Sequence, residues 1–428
     1  LWNDAQVDVG DIVNQEQISI AIIGAGAAGL MAAIHAGRSS EGRIGPIVAF
    51  DGAAKIGAKI LVAGGGRCNV THHEVRPEDY GGSSRNAIRK VLRAYPVDAV
   101  VDFFEAEGVT LKREETGKLF PTTNKARTVL DALLDSVERA GVELRHPVRI
   151  ESIDRTEDGF QIRGDGLAVQ ADRVILCTGG KALPKTGSDG LGLEIVQHLG
   201  HSVTSAIHPA LVPLLLPAGD PVCALSGIAA PVTLSIRTGA GRSIAAYSAP
   251  LLCTHFGISG PVVLDASRHL LAAHAAGETA EAFVDWLPDQ DRGELERAML
   301  TASGQTTCQG ILRGRFPERL LQMLLLAGGV DATDRVRTLT KVRRISLLDA
   351  LFNHRLEVVG DRGYTFAEAT AGGVPLSEVR LDSMESRIVP GLHLAGEICD
   401  VDGRVGGFNF QWAWASGFLA GRAAVRAS

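Results

Sequence analysis

The sequence predicts an α/β fold: a doubly wound sheet assembled from both ends of the chain, with a segment of different character inserted between them. Three observations predict it. The apolar run Ile18–Ile23 breaks into Gly24-Ala25-Gly26-Ala27-Ala28-Gly29 and continues as a small-residue helix over Leu30–Gly37. A second apolar run, Ile47–Phe50, closes on Asp51, about 20 residues past that turn. Two further buried-strand runs, Arg173–Cys177 and Pro390–Cys399, reach glycine-bearing turns, where doubly wound sheets take their ligands.

The first run has the length of a parallel strand buried on both faces. Its glycines have separate tasks: Gly24 permits the tight turn, Gly26 lets the backbone approach a diphosphate, and Gly29 allows helix and strand to pack closely. Free N–H groups and the positive end of the helix dipole favour an anion there. Asp51 is placed for ribose hydroxyls; the plainer alternative is an ordinary strand-end acid. A membrane span is the rival for Ile18–Gly37, but three glycines and the lack of a basic flank argue against it.

Gly64-Gly65-Gly66-Arg67-Cys68-Asn69 gives a backbone able to lie against a ring or phosphate, with Arg67 as a charged partner. A flexible surface loop is the alternative. Ala87–Gly108 reads as a helix broken at Pro96; Arg85, Arg89, Lys90 and Arg93 give it a solvated basic face. Gly141–Gly164 alternates as a hairpin, and extended backbone at Val148–Ile150 is placed to meet an adenine edge. Arg173–Cys177 leads into Thr178-Gly179-Gly180.

The character changes near Gly200. His208–Pro217 reads as an apolar linker, Ile228–Ser267 as short strands, Leu287–Asn353 as mostly helical, and Arg355–Gly373 as strands again. Gly396-Glu397 ends a strand, and Gly406-Gly407-Phe408-Asn409 opens a closing helix, Phe408–Ala427. That helix start suits negative charge, and Glu397 suits sugar or ribityl hydroxyls; a capped helix that merely packs is the alternative. The insertion therefore runs over Ala206–Arg380.

Composition narrows the class. Hydrophobic residues make up 45% and charged residues 21%, the profile of a globular protein. Fifty glycines among 428 residues exceed the usual level of about 7%. The net charge of −6 gives no overall attraction to nucleic acid or anionic membrane. Cys68, Cys177, Cys223, Cys253, Cys308 and Cys399 are scattered without a C-x-x-C pair, which argues against a zinc site or disulfide framework and for a reducing cytoplasm. Residues 1–17 are polar and acidic, unlike a secretion signal, and read as a loose tail.

Read together, GAGAAG, KIGAKILVAGGGRCNVTH, GKLFPTTNKA, CTGGKALPKTGSDGLG, THFGISGP, ATAGGV and GLHLAGEICDVDGRVGGFNFQWAWASG resemble the bacterial BaiN-like or aminoacetone-oxidase-like NAD(P)/FAD-dependent oxidoreductases. The resemblance covers nearly all of Ile18–Ala424. It implies a glutathione-reductase-like FAD-binding Rossmann domain over 18–205 and 381–428. A β-barrel insert would occupy 206–286 and 354–380, with a helical insert at 287–353. It implies FAD contacts at Gly24–Gly29 (Gly24, Ala25, Gly26, Ala27, Ala28, Gly29), Asp51, Lys59 and Gly66–Asn69 (Gly66, Arg67, Cys68, Asn69). Further contacts fall at Val148, Thr178, Gly179, Gly180, Gly396, Glu397, and Gly406–Gln411 (Gly406, Gly407, Phe408, Asn409, Phe410, Gln411). Asp51 stands where that family usually has Glu, and Ser383 where Thr is common.

The resemblance implies three activities: reduction of a conjugated C=C in steroid-like enones, oxidation of small amines, or reduction of a ribosomal RNA uridine. Hydride transfer from flavin N5 to an activated alkene serves two of them and is the leading expectation. No second G-x-G-x-x-G follows a strand, so NAD(P)H is expected to dock transiently. The proton-donor candidates are His255, Cys68 and Lys59; each has a plainer role, as a structural histidine, a packed thiol and a phosphate partner. For RNA, Arg335, Arg337, Lys341, Arg343 and Arg344 form one basic span, with Arg313 and Arg315 upstream. An ordinary solvated helix is the alternative, and only Phe316 and Phe352 lie nearby for stacking. A protein that holds FAD without catalysis is the remaining alternative.

Overall fold

A computed structural model describes residues 16–426. The central strand β1 (Glu16–Ile23) lies parallel to Leu167–Leu176 on one side and to β2 (Ile47–Phe50) on the other, with Ile20 opposite Arg173 and Ile47. Neighbours on both edges and layers on both faces bury it, which is why Ile18 and Ile20–Ile23 are all apolar. The strand begins at Glu16, so Glu16 and Gln17, read as tail, belong to the sheet. The rest of that tail, residues 1–15, lies outside the described residues, as do 427–428.

The sheet has nine strands. Its main path runs Val379–Arg380, Glu385–Ser386, Leu392–Leu394, Leu167–Leu176, β1, β2, Glu143–Arg145. Both chain ends thus enter one sheet. The hairpin expected over Gly141–Gly164 divides instead. Glu143–Arg145 pairs parallel with β2, and only Ser152–Thr156 and Gly159–Gly164 form an antiparallel pair. Pro147 falls between them and has no N–H for a ladder.

Helix α1 (Ala27–Ser40) starts inside the glycine turn, with Gly26 as its N-cap. The closing helix, Phe408–Ala424, packs along it. Their backbones approach so closely that a Cβ on Gly417 would stand 2.4 Å from the Ala28 carbonyl oxygen. One on Gly421 would stand 2.2 Å from that of Ala32.

The inserted segment carries a second core, separate from the first. Its antiparallel sheet runs His354–Leu356, Ala280–Asp285, Ala229–Thr238, Ser243–Thr254, Gly257–Ser259, Leu214–Leu215, Gly360–Asp361. No ladder among the described residues joins the two ends of this path, so the sheet is not closed by pairing into the expected barrel. Ser243–Thr254 is one strand despite Pro250, because Gly257–Ser259 pairs only with Leu252–Thr254 and leaves Pro250 unpaired on that edge. The supposed linker contributes two strands, His208–Ala210 and Leu214–Leu215. Pro261–Ala275, partly read as strand, is a helix. Proline sits at its first position, and Val262, Val263, Ala266, Leu270 and Ala273 are buried at helical spacing. Helices Arg292–Thr301, Glu318–Ala327 and Lys341–Phe352 share the second core through Leu295, Met299, Leu320, Leu324, Leu347 and Leu351. No helix among the described residues is long and apolar enough to cross a membrane.

Gly421→Ala should lower stability by about 1–3 kcal/mol, because its methyl must displace helix backbone. Gly304→Ala, with nothing within 4 Å of the added carbon, should stay within about 0.5 kcal/mol. Urea unfolding of both variants measures the difference.

Candidate active site

The carboxyl ends of the central strands open into a cavity of about 940 Å³, at the upper end of ordinary ligand pockets. At its floor, Gly24 has φ +98°, and a Cβ there would lie 2.5 Å from the Cys177 carbonyl oxygen. A Cβ on Gly29 would lie 1.8 Å from the carbonyl of Gly24. Gly26 differs: nothing lies within 4 Å of its missing Cβ, and it lines the cavity. The open space beside Gly26 and the uncapped start of α1 together make a diphosphate cradle.

Asp51 also lines the cavity, but its Oδ2 accepts from the Ala25 amide (2.7 Å) and its Oδ1 from the Ala53 amide (2.8 Å). The short side chain braces the turn. Val148 lies beside it, its amide donating to the Asp51 carbonyl oxygen at 2.8 Å.

The glycine-rich run forms a second wall. Helix α2 (Ala58–Gly66) loses helical dihedrals at Ala63, and Gly64 and Gly65 turn left-handed at φ +58° and +70°. Gly65 faces open space, again where a Cβ would sit. Asn69 Oδ1 and Thr178 Oγ1 line the cavity as buried oxygens without a hydrogen-bond partner. Such atoms are costly unless a ligand completes them. The closing helix fixes the surrounding loops. Trp412 Nε1 donates to the Gly396 carbonyl (3.0 Å), Ser416 Oγ accepts from the Gly396 amide (2.9 Å), and Trp414 Nε1 donates to the Val70 carbonyl (2.9 Å).

The inserted segment supplies the facing wall through Leu211, Pro261, Leu264 and Thr365–Glu368. Two ion pairs hold it in place. Arg268 Nη1 meets Asp402 Oδ2 at 2.9 Å with both groups buried, and Arg404 meets Asp265 at 3.0 Å. Asp265 Oδ1 also accepts from the Val405 amide at 2.8 Å. Glu368 projects into the cavity. Its side chain is exposed to the cavity space, and desolvation by the protein around its carboxyl raises its pKa; the nearby Lys118 charge opposes this, and Asp265 adds to it.

The Rossmann-domain model of the HI0933-like proteins matches residues 18–423. The chain is 35% identical over 409 residues to the 3-dehydro-bile acid delta(4,6)-reductase of Clostridium scindens, covering 95% of this chain and 98% of that protein. It is 30% identical to the ribosomal RNA dihydrouridine synthase of Escherichia coli, covering 96% and 99%. The chain belongs to the HI0933-like flavoprotein family. This is a family of flavin-dependent oxidoreductases whose Rossmann domain implies FAD. The fold resembles that of 3-ketosteroid delta1-dehydrogenase from Sterolibacterium denitrificans, with a TM-score of 0.50 and 14% identity over 96% of this chain and 99% of that one.

The cradle of this HI0933-like chain fits a flavin dinucleotide: open space beside Gly26 and Gly65, a helix start, and two unpartnered buried oxygens. Of the residues expected at the cofactor, Gly24, Gly26, Ala27, Ala28, Asp51, Lys59, Arg67, Asn69, Val148, Thr178, Gly179, Gly396, Glu397, Gly406, Gly407, Asn409 and Phe410 line the cavity. Ala25, Gly29, Gly66, Gly180, Phe408 and Gln411 do not. Gln411, for example, is spent between Thr71 Oγ1 (2.7 Å) and the Tyr95 carbonyl (2.9 Å).

The proposed proton donors fare differently. His255 is exposed at the turn before Gly257–Ser259, outside the cavity. Cys68 is fully buried outside it, and burial pushes its thiol up to about 12. Lys59 lines the cavity but pairs with Glu397 Oε2 at 3.0 Å, while Glu397 Oε1 accepts from the Thr370 amide at 2.9 Å. Arg67, expected on the diphosphate, pairs with Glu114 at 2.6 Å and stacks over Phe120. Sequence reasoning missed Lys118, Arg404 and Thr365–Glu368. The lone acid in the apolar run Phe366–Ala371 was the available signal.

Gly26→Val should leave the apoprotein's melting temperature near that of the parent while reducing FAD content at least tenfold, read by flavin absorbance after loading. A second expectation concerns Asp400, which burial and the neighbouring Asp402 push up to about 6. The folded state then holds a proton that the unfolded state releases, so stability falls as pH rises between the ordinary value of 3.8 and about 6. Asp400→Asn should remove up to about 2 kcal/mol of that fall, measured by urea unfolding at about pH 4 and pH 7.

Proposed function

We propose that this protein is an FAD-dependent reductase that passes hydride to an activated C=C of a small enone-like acceptor, with NAD(P)H as transient donor. The carrying observation is the composite cavity. One wall is a dinucleotide cradle, and the other is the apolar face of Leu211, Pro261 and Leu264 with a single carboxyl, Glu368, beside it. The similarity to a bile acid reductase supports the same reading. So does the division of the chain into two cores, which supports an FAD-binding unit from both chain ends with a separate inserted unit.

Bound in the cradle, FAD supplies a hydride from its reduced ring. The chain's own groups do the remaining work. Gly26 and the start of α1 hold the diphosphate, and Asn69 and Thr178 offer acceptor oxygens to the ligand. The start of the closing helix favours negative charge beside it. The insert wall, through Leu211, Pro261 and Leu264, would offer an apolar acceptor a surface facing the cradle.

A second reading makes ribosomal RNA the acceptor. It is favoured by Arg335, Arg337 and Lys341, which are exposed and carry no ion pair. It is weakened by Arg343 and Arg344, whose charges are met by Asp334 and Glu296. A three-cation patch would give a salt slope of only about −2.

Anaerobic addition of NADPH or NADH should bleach the bound flavin, and an enone should restore its colour. Restoration by ribosomal RNA alone, or peroxide formation from amines without a nicotinamide, would overturn the reading.

A further inference from the structure

Four carboxylates line the cavity: Asp51, Asp189, Glu368 and Glu397. Three are committed. Asp51 accepts two backbone amides, Asp189 pairs with Arg149 at 2.6 Å, and Glu397 joins Lys59 to the Thr370 amide. Glu368 alone among them has no hydrogen bond or ion pair to its side chain, and it stands on the wall that faces the cradle.

We propose that Glu368 is the acid that protonates the acceptor during alkene reduction; this rests on the reductase reading above. A proton donor must hold a proton and reach the reacting carbon. Glu368 is exposed to the space of the cavity, with no basic partner bonded to its carboxyl, and its side chain lines the chamber shared with the cradle. The groups facing it are Lys118, on the strand Lys118–Pro121, and Asp265, on the helix Pro261–Ala275, itself engaged by Arg404.

The step balances. FAD held in the cradle would supply the hydride, which would form a C–H bond at the carbon remote from the carbonyl and deliver two electrons. The alkene π pair then takes the proton at the neighbouring carbon as the Glu368 O–H bond breaks. The acceptor is reduced, FAD is oxidised, and Glu368 is left as a carboxylate that Lys118 stabilises until water returns the proton.

The test uses FAD-loaded protein, testosterone as the enone, and the variants Glu368→Gln, Glu368→Asp and Lys118→Met. Glu368→Gln should take up FAD and be bleached by NAD(P)H within twofold of the parent, yet recolour with testosterone at least 100-fold more slowly. Glu368→Asp should recover part of that rate. In the parent, recolouring should slow as pH rises through the Glu368 titration, since only the protonated form donates. Lys118→Met should move that midpoint upward, because the cation that favours the carboxylate is gone.

An infrared titration without any acceptor gives an independent readout. In the difference spectrum between parent and Glu368→Gln, one protonated-carboxyl component should persist above the ordinary value of 4.5, beside that of Asp400, and it should persist to higher pH in Lys118→Met. Equal recolouring by the parent and Glu368→Gln overturns the proposal while leaving the reductase reading intact. Loss of recolouring in Lys118→Met to the same degree assigns the proton to the lysine instead. A parent that is bleached but never recoloured by testosterone overturns the reductase reading itself.

Discussion

The close contact between α1 and the closing helix is the constraint on which the rest of the molecule depends. Gly417 and Gly421 let one helix backbone rest on the carbonyls of Ala28 and Ala32 in the other. This fixes the last helix of the chain against the first strand–turn–helix. Because Trp412, Trp414 and Ser416 extend from that same helix to Gly396 and Val70, the packing also sets the loops on the other side of the cavity. A dinucleotide cradle made from distant segments needs such a rigid reference, since hydrogen-bond geometry tolerates little drift.

The second constraint is the seam between the two cores. Arg268 with Asp402, and Arg404 with Asp265, attach the helix Pro261–Ala275 to the segment leading into the closing helix. Buried ion pairs contribute little net stability, but removing one partner leaves an uncompensated charge, so they specify one arrangement. Here that arrangement presents the insert wall to the cradle. Asp265 of that seam and Lys118 of the cavity lining act on the Glu368 carboxyl with opposite sign, the acid raising its pKa and the lysine lowering it.

The cavity uses two kinds of polar group differently. Backbone amides and helix starts offer fixed partial charge with no side-chain entropy to lose, which suits a cofactor held permanently. Side-chain charges are mostly neutralised in pairs: Lys59 by Glu397, Arg67 by Glu114, Arg149 by Asp189. The unpaired carboxyl of Glu368 stands out against that background, on the wall the insert contributes.

By itself the sequence determined the nucleotide-binding half. The glycine turn, its strand and helix, Asp51 and the glycine-rich run are local patterns, and local sterics dictate them: Gly24 and Gly64 adopt dihedrals that other residues resist. Resemblance extended this reading to the closing segment. Tertiary structure alone decided the rest. Pro261–Ala275 turned helical because its apolar residues found a core at helical spacing, and the runs around Pro250 joined into one strand because the neighbouring strand is short. It also left His255 and Cys68 outside the cavity and set Lys118, Arg404 and Glu368 on its lining. These three lie far apart in the chain, and no spacing rule relates residues that meet only where two separately folded cores face each other.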